Sequence, residues 1–111
     1  MRLRELDASF LRIIEPKRYL HQDDIESAQG LFLLCPACFQ KNGGKVGTHA
    51  VICWFSGRGV SDEEYPRPGR WAPHGTGLDD LTLVSGSSSV LLQGAPCKAH
   101  FYVRNGGIEP A

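Results

Sequence analysis

The chain has 111 residues, with 12 basic and 12 acidic side chains and a formal net charge of zero. That size supports one domain with a modest core. The charge balance lacks the basic excess that nucleic-acid modules use to neutralise phosphate, and it counts against that class. With 13 Gly and 7 Pro, the composition favours turns over long helices. A small, turn-rich domain gains from a staple such as a bound metal.

Near the N-terminus, Arg2, Arg4, Glu5 and Asp7 leave no apolar core for a secretory leader. The run Phe10 to Ile14 stops before Pro16, which predicts an edge strand. Asp23 to Gln29 predicts a helix of two turns at most, with Asp23 as cap, Glu26 completing a capping box and Gly30 closing the end. Leu31 to Leu34 reads as a strand entering Cys35-Pro36-Ala37-Cys38. Asn42-Gly43-Gly44 is a turn.

His49 to Phe55 is the strongest strand signal. Val51, Cys53 and Phe55 share one face, and Ala50, Ile52 and Trp54 share the other. Apolar residues on both faces predict a central strand. The stretch from Ser56 to Gly77 is rich in Gly, Pro and charge. A loop of that length inside a compact domain usually has a role. Leu81 to Val84 and Ser89 to Gln93 predict a hairpin around Gly86-Ser87-Ser88. His100 to Arg104 and Gly107 to Glu109 predict a second, around Asn105-Gly106, since both turn residues accept positive φ. The apolar runs at 31–34 and 50–55 are too short to span a bilayer as helices.

The chemistry sits in two short motifs. Cys35-x-x-Cys38 and Cys97-x-x-His100 each have the spacing of a zinc knuckle, and together they supply four ligands. A closed four-coordinate Cys/His set is the usual form of structural zinc. The motifs lie about 58 residues apart, beyond the spacing of an ordinary zinc ribbon. Two distant knuckles must therefore converge at one end of a sheet. An iron–sulfur centre and a pair of disulfides are the competing readings. Cys53 fits a buried structural thiol, and His49 fits a supporting group or a ligand in place of His100. His21 and His74 fit solvated loop positions.

Catalytic alternatives find little support. Asp79-Asp80 precedes a strand that would send the two carboxylates to opposite faces, so a turn role fits better. Gly57-Arg58-Gly59 lacks the lysine and helix of a phosphate loop. The serines at 56 and 85–89 lack a nucleophile-elbow context. Pro66-Arg67-Pro68-Gly69-Arg70-Trp71 is the contact candidate, because Arg and Trp are enriched at binding hot spots and proline limits the ordering cost. The competing structural reading folds Trp71 back over a sheet.

Cys35 to Cys38, His49 to Phe55, Pro68-Gly69-Arg70-Trp71, Gly75 to Thr82, Ser89 to Leu92 and Cys97 to Gly106 carry a resemblance over nearly the whole chain. The pattern resembles a family of small uncharacterised zinc-knuckle proteins of tailed bacteriophages and prophages, some of which bear the label ammonia monooxygenase. That label does not suit a chain without a copper-type His/carboxylate cluster. The resemblance implies a phage origin and zinc at Cys35, Cys38, Cys97 and His100, and it carries over no activity. Lys98-Ala99 stand where relatives have glycine and an aromatic, which affects the turn geometry rather than the ligand set.

The expectation is one mainly β domain over residues 1–111, a small antiparallel barrel or sandwich with one short helix and one structural Zn2+. The expected role is non-enzymatic: a phage accessory protein in the host cytoplasm that binds a host or phage protein through Arg67, Arg70 and Trp71, as a host-takeover or anti-defence inhibitor. A virion tail or head component is the alternative. A nucleic-acid-binding zinc module and a small zinc hydrolase are the readings from other classes.

Overall fold

The computed structural model describes residues 1–85, 88–92 and 97–111. A 3-10 turn, Leu3–Leu6, buries both of its leucines. Ser9–Glu15 (β1) and Arg18–Gln22 (β2) form a hairpin around Pro16-Lys17. Gly30–Leu34 (β3) pairs with β1 and with Ala50–Trp54 (β4), giving the order β2-β1-β3-β4. Between β3 and β4 runs one helix, Pro36–Asn42 (α1), with Gly43 at φ 67 as its left-handed cap. Ala72–His74 (β5) pairs with Thr82–Val84 (β6). Val90–Leu91 (β7), His100–Arg104 (β8) and Gly107–Pro110 (β9) form the third sheet.

The protein is therefore mainly β, built from three small antiparallel sheets. The four-stranded sheet ends in unpaired strands on both sides, so among the described residues no barrel closes. Leu3, Leu6, Phe10, Leu31, Leu33, Val51, Phe55, Leu81, Leu83, Phe101 and Val103 form one buried cluster drawn from all three sheets. Each such side chain contributes about 1.5–3 kcal/mol on burial. Alternation explains which faces are inward: in β8, Phe101 and Val103 are buried while His100 and Arg104 are exposed.

Two glycines shape the packing. A Cβ on Gly30 would lie 2.6 Å from the ring of Trp54, so the missing side chain lets that indole lie against β3. The indole then meets Tyr19 of β2 edge-on at 5.1 Å and donates its N–H to the Tyr65 carbonyl at 2.8 Å. Gly106, at φ 73 beside Asn105 at φ 48, turns the β8–β9 hairpin as the Asn-Gly pair predicted. A Cβ there would collide with the Asp79 carbonyl.

Five local expectations change. β1 is an inner strand, because β3 pairs with its first half while β2 pairs along its length. Residues 23–29 form a turn rather than a helix: the Asp24 carboxylate accepts from the Glu26 amide and the Ser27 hydroxyl, a local alternative to helical bonding. Gly30 opens β3 instead of closing a helix. β4 buries Val51, Cys53 and Trp54, but Ala50 is exposed and Ile52 half-buried, and among the described residues β4 is the last strand of its sheet rather than a central one. β6 pairs with β5 and β7 with β8, and among the described residues β6 and β7 belong to different sheets rather than to the hairpin expected between 81–84 and 89–93; Gly86, Ser87 and Gln93 within that expectation lie outside the described residues.

The long stretch from 56 to 77 is ordered by arginines. The half-buried Arg70 guanidinium donates to the carbonyls of Ser61, Glu64, Pro66 and Gly69 at 2.8–3.0 Å. Arg58 donates to the carbonyls of Ile25, Glu26 and Ala28 at 2.7–3.1 Å. Backbone carbonyls that lack a sheet partner must be satisfied somewhere, and a planar guanidinium with several donors suits that task.

Candidate metal centre

Three segments deliver four donor side chains to one place. β3 ends at Leu34, and Cys35 caps the N-terminus of α1, with Pro36 at its first position. Cys38 lies in the first helical turn. On the other side, the Cys35 amide donates to the His49 carbonyl at 2.9 Å, one step beyond the Leu34–Ala50 pair of the β3–β4 ladder. Strand pairing therefore sets His49 opposite Cys35. Cys97 enters ahead of β8.

The ligand atoms of Cys35, Cys38, His49 and Cys97 all lie within 4.8 Å of one another. The Cys35 and Cys97 sulfurs are 3.8 Å apart, and His49 Nε2 is 3.3 Å from the Cys97 sulfur. A tetrahedron with metal–sulfur bonds of about 2.3 Å and a metal–nitrogen bond of about 2.0 Å has edges of roughly 3.6–3.8 Å. The Cys35–Cys97 and His49–Cys97 spacings are thus close to the edges of a tetrahedral site. The chemistry of three thiols and one imidazole suits a borderline-soft divalent ion.

Burial and hydrogen bonding separate the two thiols. Cys35 is fully buried, and burial pushes its thiol up to about 11, with the amides of Cys38 and Ala37 pulling in the opposite direction. Cys97 is drawn down to about 7, chiefly by its hydrogen bond to His49 and then by the Ala99 amide. A buried thiolate needs a counter-charge, and a divalent cation between these groups would provide one.

The sequence-based ligand set differs from this cluster in one member. His100 opens β8 on the exposed face, between the buried Ala99 and Phe101. Strand alternation turns its ring away from the three sulfurs, and it lines a shallow cleft with Pro36 and Pro110. His49 takes the fourth position. His49 is the alternative the sequence offered to His100; reading 31–34 and 49–55 as antiparallel neighbours would have selected it, since that register places 35 opposite 49. Cys53 stays outside: it is fully buried on β4, and burial pushes its thiol up to about 12. His21 contacts Ser9 at 2.7 Å and packs edge-on to Phe32 at 4.9 Å.

The contact candidates divide. Trp71 is half-buried against the core; its amide donates to the Trp54 carbonyl at 3.1 Å and its carbonyl accepts from Ser56 at 2.8 Å. Arg70 is engaged by four carbonyls, as described. Arg67 is exposed, stacks over the Tyr65 ring at 4.5 Å, and donates to Glu63 at 3.0 Å and to the Tyr65 hydroxyl at 2.7 Å. Asp79 forms an exposed, long-range ion pair with Arg4, and Asp80 accepts from the Thr76 amide and hydroxyl within its turn, so the two carboxylates serve separate contacts rather than a shared acid/base pair.

Fold and site together define a mainly β protein with a Cys3His cluster able to hold a metal ion. No protein-family model matches the chain, and no curated protein or solved structure is significantly similar to it. Among the described residues, no helix is long and apolar enough to cross a membrane.

Proposed function

We propose that this chain is a zinc-stapled, non-enzymatic accessory protein that acts by binding another protein. The convergence of Cys35, Cys38, His49 and Cys97 carries the reading. These residues would hold one Zn2+, and the ion would supply a cross-link between the β3–β4 end and the start of β8. Four protein donors leave no position for the water that hydroxide or Lewis-acid chemistry requires. The three sheets around one core are read as a small sandwich.

The family resemblance supports a tailed-phage origin. Small size and an ordered, presented loop suit an inhibitor of a host process, acting in the host cytoplasm on a host or phage protein. A tail or head accessory is the alternative, and the protein content of purified particles separates the two. Exposed Arg67 and Tyr65 and half-buried Trp71 support a contact surface; Arg70 supports it by holding the loop in shape.

Elemental mass spectrometry of wild type, Cys97→Ser and His49→Ala tests the staple. One zinc per chain in wild type, lost together with stability in both variants, is the expected result. A stable, metal-free wild type overturns it. Zinc retained by a stable His49→Ala protein points instead to an open, hydrolase-like site.

A further inference from the structure

Resting on the protein-binding reading, we infer that the partner is an extended, acidic segment of another polypeptide that adds a strand to the outer edge of β4.

Among the described residues β4 and β7 are both end strands, and they face each other across one groove of about 740 Å3. Residues 49–52 line one wall and residues 89–92 the other, with Arg67 and Trp71 closing the end. The direction of the β4 backbone follows from its neighbours. The Trp54 carbonyl accepts from Trp71 on the outer side, while Phe55 donates to Gln29 on the inner side. With a period of two, Ile52 and Ala50 also aim their amide and carbonyl groups outward.

Trp71 begins an outer ladder, because it bridges Phe55 in parallel. That ladder stops at Trp54. Ile52 has no outer hydrogen-bond partner among the described residues, and the Ala50 carbonyl meets only the His49 ring at 3.2 Å. An open edge of this kind is a template for another strand. Trp71 also leaves its buried indole N–H without an acceptor among the described residues. On the far wall, Leu91 is 45% exposed, and alternation from the Leu92–Ala99 bond turns its backbone groups away from β8.

Charge complementarity selects the occupant. Arg67 is the one charged side chain among the described residues lining the groove, and none is acidic. Its partner Glu63 is 84% exposed, so the pair is solvent-screened and a carboxylate on an incoming strand competes with it readily. Exposed apolar Leu91 and half-buried Ile52 and Trp71 suit alternate apolar side chains on the same segment.

The test is selection from a randomised library of linear dodecapeptides on the zinc-loaded full chain, followed by affinity measurement on the enriched peptides. The expected peptides alternate apolar residues and carry Asp or Glu. N-methylation of alternate peptide amides should weaken them by about tenfold or more, and so should Ile52→Pro, which removes an outward amide and no β3–β4 bond. Arg67→Glu should lose acidic peptides and accept their lysine counterparts. N-methylation leaves the protein untouched, so it decides the matter even where Ile52→Pro disturbs folding. Failure to enrich peptides, or binding indifferent to N-methylation, overturns the strand-addition proposal. A dimer in light scattering that Ile52→Pro abolishes overturns it in favour of a second copy of the chain. A natural partner that binds Ile52→Pro as well as wild type sinks this proposal while leaving the protein-binding function standing.

Discussion

Cys35 and His49 face each other across the end of the β3–β4 ladder, where the Cys35 amide donates to the His49 carbonyl over 2.9 Å. The bond extends the ladder by one step and fixes the distance between two donors of the cluster. One donor of the cluster is thereby held by sheet register rather than by a short sequence motif, and this makes the two histidines near the site unequal.

His49→Ala should lose zinc, and His100→Ala should keep it. A ligand set saturated about 1,000-fold above its dissociation constant contributes about 4 kcal/mol to folding. His49→Ala, or chelation of wild type, should then lower the melting temperature by about 10 °C or more. Calorimetry with parallel metal analysis checks both variants. Equal zinc loss in the two would reject the assignment.

Gly30→Ala should destabilise the protein by about 1–3 kcal/mol, the usual range for overpacking a close-packed site. The added methyl meets the Trp54 ring, with its nearest ring atom 2.6 Å from the ideal Cβ position. Displacement of the indole also strains its bond to the Tyr65 carbonyl. Urea denaturation followed by Trp fluorescence measures the loss.

Gly106→Ala should cost about 1 kcal/mol or more, from positive φ and from contact with the Asp79 carbonyl together. Asn105→Gly should be close to neutral, since the turn conformation is retained. A large loss in Asn105→Gly would show that the Asn105 side chain, and not backbone conformation alone, holds the hairpin; thermal melts of both variants measure the difference.

Arg70→Ala should loosen residues 61–69 while the sheets remain folded. It removes the common donor of four carbonyls. Limited proteolysis should gain a cleavage site in that stretch, and Arg70→Lys should not restore protection, because an ammonium cannot reproduce the planar fork. An unchanged cleavage pattern would mean that the loop is held by other contacts.

Acid should weaken the 76–80 turn. The Thr76 amide and hydroxyl and the Gly77 amide hold the Asp80 carboxyl below its ordinary range. A group depressed in the folded state stabilises fully above its unfolded pKa and loses that contribution as pH falls through the folded one. The loss therefore falls below about pH 4. Asp79 is likewise depressed, chiefly by its hydrogen bond with Arg4. Asp80→Asn should flatten the stability profile in that acid window, as read by thermal melts between pH 5 and pH 2 at intervals of about half a unit.

Much of the local structure was written in short-range signals. The β3 and β4 apolar runs and the Asn105-Gly106 turn depend on side-chain alternation and on which residues tolerate positive φ. These are properties of a few adjacent residues, and the structure carries all three. The Cys35–Cys38 motif likewise announced one corner of the donor cluster, because two thiols at that spacing on a turn entering a helix reach one point.

What sequence could not decide was pairing. The cysteines were separable from their neighbours, since apolar flanks marked Cys53 as a buried thiol and knuckle spacing marked Cys97 as a donor of the cluster; the histidines were not. His100 has knuckle spacing from Cys97, yet the residues from 100 onward are extended, and alternation turns that ring outward. His49 joins the thiols through a register set between strands far apart in sequence from Cys97. Long-range pairing depends on the burial of whole faces against one another, and that sum is settled only when the chain has folded.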